Sequence, residues 1–438
     1  MSRPTIQVIT LGCSKNTVDT EHLLFRAGDA FEIVSGDGAH VDFLLLNTCG
    51  FIGDAKEESV NAILSAAARK GRGEVGKLVV FGCLSQRYAD ELPGLIPEVD
   101  AWFGARDLDP VLRYLGVDPS VSACTGRVRT EGGSGTAYLK ISEGCDRSCA
   151  YCAIPLIRGA HRSVPMEKLV EEARFLAGRG VHELVVIAQD TTWYGLDLYG
   201  RRALAELLRK LSEVEGIEWI RIHYSYPSSF PEDVLDEMAS NPKICPYLDI
   251  PLQHVSDKVL SAMRRHCTAA QTREIVRKLR EKVPGVALRT TMMVGHPGEG
   301  EEEFEELLDF VSEARFERLG AFAYSEEEGT FGARNYEDEV DPEVKQERLS
   351  RLMELQREIS LEFNRSRVGT VERVLVDDFS DGTLVCRSKY ESPEVDGEIL
   401  VRYEPDSFGG IPAQELPGSF IEVRIIGADE YDLIAEPK

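Results

Sequence analysis

Short uninterrupted apolar runs alternate with stretches of helical spacing through most of this chain, and the rhythm changes toward its C-terminal end. Ile6–Thr10, Phe43–Leu46 and Lys77–Phe81 read as buried strands. Asp54–Arg69 has helical spacing, with Asp54 as the predicted N-cap. Strands alternating with helices predict a parallel sheet covered by helices, in a first domain over residues 1–118. Residues 119–136 read as a linker, turn-rich at Glu131–Thr136. Six more strand candidates follow over residues 137–367: Ala137–Ile141, Glu183–Ile187, Trp219–Ile222, Tyr247–Ile250, Val286–Val294 and Leu319–Tyr324. Helical patterns such as Pro165–Ala177 and Pro231–Ala239 lie between them. Six strand–helix units predict an open (βα)6 barrel whose site is built by loops at the C-terminal strand ends. Over residues 368–438 the period shortens: Glu372–Val376, Thr383–Cys386, Glu398–Val401 and Phe420–Ile425 alternate as in a small antiparallel barrel. The predicted class is α/β, with three domains. The acidic stretch Glu299–Glu306 reads as the exposed face of a helix.

Cysteines change this picture most. Cys145, Cys149 and Cys152 form a Cys-x-x-x-Cys-x-x-Cys pattern just after the first barrel strand, with no fourth cysteine nearby. Three thiolates on one loop can hold three corners of a 4Fe–4S cluster and leave the fourth iron open to a small molecule. The alternative, a structural zinc knuckle, wants four closed ligands. Cys13, Cys49 and Cys83 each follow one of the three N-terminal strands within a few residues. The C-terminal ends of parallel strands lie on one edge, so these three thiols should converge there. They are either a second three-cysteine cluster site or three unrelated buried thiols. Cys124, in the linker, reads as incidental, and Cys245, Cys267 and Cys386 match no ligand pattern. The other barrel strand ends carry Gln189-Asp190, His223-Tyr224-Ser225, Gln253-His254, Gly295-His296-Pro297-Gly298-Glu299 and Tyr324-Ser325. Singly these are caps, turns or satisfied core residues; together they outline the rim of a ligand pocket.

The loop triplet closely resembles that of the radical S-adenosylmethionine (SAM) enzymes. The resemblance implies that SAM binds the open iron and that its one-electron cleavage yields a hydrogen-abstracting radical. It also implies that Tyr151 packs near the adenine, that Gln189 and Asp190 hold the SAM amino group, and that Gly295 to Glu299 lie beside the adenosine. His296 stands where the family more often has an apolar or aromatic residue. Across nearly all of its length the chain resembles the methylthiotransferase branch of these enzymes: a three-cysteine domain, a radical SAM barrel and a C-terminal barrel of the TRAM type. This implies two 4Fe–4S clusters, an auxiliary one on Cys13, Cys49 and Cys83 and a SAM-binding one on Cys145, Cys149 and Cys152. It also implies a sulfur donor, an electron donor such as a flavodoxin or ferredoxin, and replacement of C–H by C–S–CH3.

Charge bears on the substrate. The net charge is −25, and residues 370–438 hold 16 acidic and 6 basic residues. Such a barrel repels phosphate and suits a basic partner, whereas a nucleic-acid binder normally carries a basic face. Solubility or salt adaptation is the bland alternative. Within the family one branch modifies tRNA adenosine and another the β-carbon of an aspartate in ribosomal protein uS12. Leu11–Asp19, Gln189–Gly195 and Arg387–Gly397 resemble the protein-modifying branch, so nucleic acid is not the expected direct substrate. A non-enzymatic two-cluster electron carrier would not need the polar rim. No apolar run reaches membrane-spanning length, and the N-terminus has no signal-peptide pattern, so a cytoplasmic enzyme is expected.

Overall fold

A computed structural model describes residues 3–36, 40–120, 126–130 and 135–438. Cys124 and residues 131–134 of the linker lie outside the described residues. The N-terminal sheet has five parallel strands in the order Glu32–Ile33, Thr5–Thr10, Val41–Thr48, Val75–Gly82, Ala101–Trp102. Its two central apolar runs, Leu44–Leu46 and Leu78–Phe81, are fully buried, as both faces of a parallel sheet must be. The strand order reverses between Thr5–Thr10 and Val41–Thr48, and such a switch point opens a crevice at the C-terminal strand ends. The helix Gly53–Gly71 is capped by Ile52, not by Asp54 as expected. Asp54 sits inside the first turn, where its charge meets the positive end of the helix dipole.

The second sheet has six parallel strands in chain order: Thr136–Lys140, Glu183–Ile187, Trp219–Ile222, Ile244–Asp249, Ala287–Val294 and Arg318–Ala323. The arc is open, and an open strand edge needs cover. The helix Ser14–Ala27 lies against the edge strand Thr136–Lys140. There Val18 packs with Val185 and Ile187, and Asp19 pairs with Lys140. This explains why that helix buries so many polar residues. The opposite edge, Arg318–Ala323, is covered by Pro342–Ser366, a 25-residue helix that leads into the last domain.

That domain is a closed five-stranded barrel: Val371–Ser380, Thr383–Arg387, Ile399–Arg402, Leu433–Pro437, Phe420–Ala428. Four pairings are antiparallel, as expected; Ile399–Arg402 runs parallel to Leu433–Pro437. The strand Leu433–Pro437 escapes the sequence pattern because Ile434 points outward, 53% exposed, between buried Leu433 and Ala435. Cys386 is a core residue of this barrel. Cys245 is buried with Trp219, Tyr247 and Leu375 where the two barrels meet.

The segment Arg387–Gly397 plugs the lumen of the open barrel. Arg387 bonds Glu183 at 2.8 Å, and the Ser388 and Lys389 carbonyls accept from Arg221. Ser392 meets His223 Nε2 at 2.7 Å, and Asp396 accepts from the Tyr247 hydroxyl at 2.7 Å. Among the described residues no helix is long and apolar enough to cross a membrane.

Candidate active site

Cys145, Cys149 and Cys152 sit on a loop whose ends are pinned by the short ladder of Ser142–Glu143 with Arg162–Ser163. The Cys145 N–H donates to the Gly159 carbonyl at 3.0 Å, and the Ala150 N–H donates to the Met263 carbonyl at 2.9 Å. Gly144 has φ +76, and a Cβ there would lie 2.1 Å from the Ala160 carbonyl oxygen, so only glycine fits the turn.

The other triplet is assembled from three strand ends. Cys13 is the N-cap of Ser14–Ala27, Cys49 follows Val41–Thr48, and Cys83 opens the short helix Cys83–Arg87. Gly12, at φ +92, lets the first turn touch the second; a Cβ there would lie 2.6 Å from Cys49 Cβ.

All six cysteines line one cavity of about 430 Å³, bounded by the N-terminal sheet edge, the barrel rim and Val395 of the plug. Among the described residues no three Cys, His, Asp or Glu side chains close on a single metal ion. Thiols spread round one hollow suit the corners of a cluster rather than the closed shell of a zinc site. The donor set fits an iron–sulfur group, since N–H donors meet the sulfurs: Arg147 N–H to Cys145 at 3.4 Å, Arg265 to Cys149 at 3.6 Å and Arg158 to Cys83 at 3.3 Å. Burial foremost, with neighbouring thiols and carboxylates, pushes Cys145 up to about 12, Cys83 up to about 11, and Cys49 and Cys152 upward too. Cys13 is half-buried and desolvation raises it too, yet Lys15, Arg158 and backbone N–H groups bring it below its ordinary value.

Arg158 couples the two triplets. Fully buried, it reaches Asp19 at 2.7 Å on the N-terminal helix, Glu143 at 3.2 Å on the barrel and the Cys83 sulfur. Tyr151 and Gln189 lie on the cavity wall. The Gln189 amide donates to Glu143 at 2.7 Å, and the Tyr151 hydroxyl lies 3.3 Å from Arg265. Asp190 is buried behind the wall; it caps Thr191–Trp193 by accepting from the Thr192 N–H and pairs with Arg147 at 2.8 Å. Gly295 and Glu299 are not on the wall. Glu299 accepts from the Gly295 N–H and from Arg348, both at 2.8 Å, tying its loop to Pro342–Ser366. His296 is enclosed by Tyr324 and Tyr336, and burial lowers it to about 4.

Profiles of three families match the chain: the Radical SAM superfamily over residues 139–311, the Uncharacterized protein family UPF0004 over 5–104, and the TRAM domain over 368–437. The ribosomal protein uS12 methylthiotransferase RimO of Porphyromonas gingivalis is 50% identical over 438 residues, covering 99% of both chains. Its namesake from Bacteroides fragilis is 48% identical over 100% of both. This chain belongs to the uS12 methylthiotransferase family. A solved radical SAM methyltransferase, TsrM from Kitasatospora setae, shares the fold at TM-score 0.55 and 14% identity, covering 74% of this chain and 72% of that one.

In this family member two cavity residues had no sequence signal, Arg158 and Arg265, which look like ordinary charged residues, and Lys15 stood out only as part of the Leu11–Asp19 motif. Only their convergence in space marks them. His223, read from sequence as one rim residue among many, proves to join the cavity wall to the plug.

Proposed function

We infer that this chain is a radical SAM enzyme that methylthiolates ribosomal protein uS12, replacing a hydrogen on the β-carbon of an aspartate by S–CH3. One observation carries the reading: both cysteine triplets face the same small cavity. Cys145, Cys149 and Cys152 would hold the SAM-binding 4Fe–4S cluster, and Cys13, Cys49 and Cys83 an auxiliary one. When bound, these groups and SAM supply radical and sulfur-transfer chemistry. The chain's own residues do the rest. Arg158 and Arg265 place positive charge and N–H donors against thiolate sulfur, which stabilises charge that burial alone would disfavour. The plug and the helix Ser14–Ala27 bound the cavity on two sides, and exposed Phe51 and Phe322 mark its open side. An external reductant of the flavodoxin or ferredoxin class and a sulfur donor complete the set.

A larger cleft of about 650 Å³ lies beside the cavity, across Glu394–Asp396 of the plug. It holds no cysteine, and its carboxylates include Glu21, Asp378, Glu394 and Glu398. A basic protein surface suits such a cleft better than tRNA phosphate, and the full-length relatives are named for uS12 rather than tRNA. Anaerobic reconstitution of the full chain should load about eight iron atoms. After reduction it should cleave SAM, and mass spectrometry should find a methylthio group on uS12. Intact SAM after reduction would sink the radical reading; a methylthio group on tRNA adenosine alone would reverse the substrate.

A further inference from the structure

The cavity between the triplets is rich in cations, and all but one are held. Arg147 donates to Asp190 at 2.8 Å, Arg158 to Asp19 at 2.7 Å, Arg289 to Asp249 at 3.0 Å, and Arg265 to the Pro251 carbonyl. Lys15 differs. It sits in the first turn of Ser14–Ala27, is 8% exposed, and lines the same cavity. Among the described residues its ammonium has no carboxylate or carbonyl partner. It rests on the face of Tyr224, with Nζ 3.3 Å from the ring centre. A ring face offers about 0.5–2 kcal/mol and accepts none of the three N–H donors of the ammonium. Its charged neighbour is Cys13, whose thiol it helps bring below the ordinary value, but among the described residues the ammonium lacks a hydrogen-bonded anion.

Its surroundings deepen that deficit. Tyr224 and Gln253, both on the cavity wall, adopt left-handed backbone at φ +57 and +74. Such positions cost on the order of 1 kcal/mol or more and persist only where the structure enforces them. Tyr224 is enforced by its N–H to Asp249 at 3.0 Å and by its carbonyl, which accepts from the Thr191 N–H at 3.1 Å. The ring under Lys15 is thus fixed in place. His223 next to it is driven well below its ordinary value by burial and by Arg289, Arg221, Lys15 and Arg387. These cations converge on the stretch of wall that carries Tyr224 and Lys15.

We propose that Lys15 is the carboxylate-recognising residue of this site: its ammonium pairs with the side chain of the target aspartate and selects it over asparagine. This rests on the reading that the substrate is an aspartate of uS12. A neutral base such as adenine would leave the ammonium unpaired, so the same residue disfavours the tRNA branch.

The test compares reconstituted wild type, Lys15→Met and Lys15→Arg on uS12 and on uS12 whose target aspartate is changed to asparagine. Iron content confirms that each enzyme is loaded. Wild type should favour aspartate in kcat/KM by about 10- to 100-fold, the scale of one charge-assisted pair. Lys15→Met should lose roughly that factor on aspartate but not on asparagine, so the ratio falls toward one, while Lys15→Arg recovers part of it. If Lys15→Met fails to load iron, Lys15→Gln carries the same comparison. An iron-loaded variant that keeps the wild-type aspartate-to-asparagine ratio overturns the proposal. Wild type that cleaves SAM but leaves uS12 unmodified overturns the functional reading instead, and is distinguished by needing no variant.

Discussion

The two cysteine triplets face one cavity but are built in opposite ways. Cys145, Cys149 and Cys152 share a single loop pinned by one short ladder, so their arrangement is local. Cys13, Cys49 and Cys83 stand 36 and 34 residues apart. They meet only because three parallel strands end on one edge. The loop triplet needs a correct turn. The sheet triplet needs a correct fold, and its register against the loop further depends on the packing of Ser14–Ala27 on the barrel edge. Local spacing makes a site that is easy to read and hard to displace; topology makes one that is silent in any short window and sensitive to the domain interface.

The sharpest way to break this comparison is to remove one thiol from each side. Alanine at Cys145, Cys149 or Cys152 is expected to abolish both SAM cleavage and methylthiolation. Alanine at Cys13, Cys49 or Cys83 is expected to abolish methylthiolation yet leave SAM cleavage measurable as released 5′-deoxyadenosine. Equal loss of cleavage on both sides would erase the division of labour.

Next in size is the bond between the triplets. Arg158→Met leaves the buried carboxylates of Asp19 and Glu143 to share Lys140 alone, so the loss should stay below the roughly 3–5 kcal/mol of a fully broken buried pair. Thermal melting should show that loss, and methylthiolation should fall more than SAM cleavage because the sheet triplet shifts against the loop. A variant in which both activities fall in parallel would mean that Arg158 supports the fold without registering the triplets.

A smaller effect compares the glycine before each triplet. Gly144→Ala drives a Cβ into the Ala160 carbonyl oxygen at 2.1 Å, a backbone atom that cannot step aside. Gly12→Ala meets Cys49 Cβ at 2.6 Å and Sγ at 2.9 Å; the sulfur can turn away, but relieving the Cβ contact needs a shift of the Cys49 backbone, at a strand end rather than in a pinned turn. Both carry left-handed strain of about 1–3 kcal/mol. Iron analysis should show the Gly144 variant losing its loop cluster, and the Gly12 variant binding iron more weakly on the sheet side.

What was legible in the sequence follows the same division. The loop triplet could be read from spacing alone, and the sheet triplet from the position of each cysteine after an apolar run. The three predicted N-terminal strands and all six barrel strands lie where their apolar runs predict, within a few residues, while the two-residue strands Glu32–Ile33 and Ala101–Trp102 were not foreseen. The helix Pro342–Ser366 and the strand Leu433–Pro437 were not foreseen. The first is long and largely polar, and the second carries its exposed isoleucine where alternation expects a polar residue. Arg158 was invisible because charge and burial together, not residue type, distinguish it, and Lys15 was legible only as one position of the Leu11–Asp19 motif, not as a cavity residue. Arg387–Gly397 stood out as a motif, yet its place inside the barrel lumen depends on partners such as Glu183, Arg221 and His223, which lie more than 160 residues away.

That plug supplies the gentlest test, because it supports the barrel that bears the loop triplet, through Glu183, Arg221, His223 and Tyr247. Glu183 is fully buried. Burial opposes its charge, but Arg387 and Arg221 outweigh this and hold it down to about 2, against 4.5 for an ordinary glutamate. Since the folded value lies below the unfolded one, the stabilisation is complete above pH 4.5 and is lost as pH falls toward 2. By pH 3.5 the loss is about 1 kcal/mol. Trp219 reports it directly, since its ring lies 4.8 Å from Phe420 where the two barrels meet. With Trp102 and Trp193 replaced by phenylalanine, Trp219 emission should shift to longer wavelength between pH 4.5 and 2 and stay constant from pH 5 to 8. Glu183→Gln should flatten that acid transition while lowering stability at neutral pH, because Arg221 and Arg387 then lose their shared carboxylate. An unchanged acid transition in Glu183→Gln would assign it to other carboxylates, and the plug would then hold the barrel through packing rather than through this buried charge.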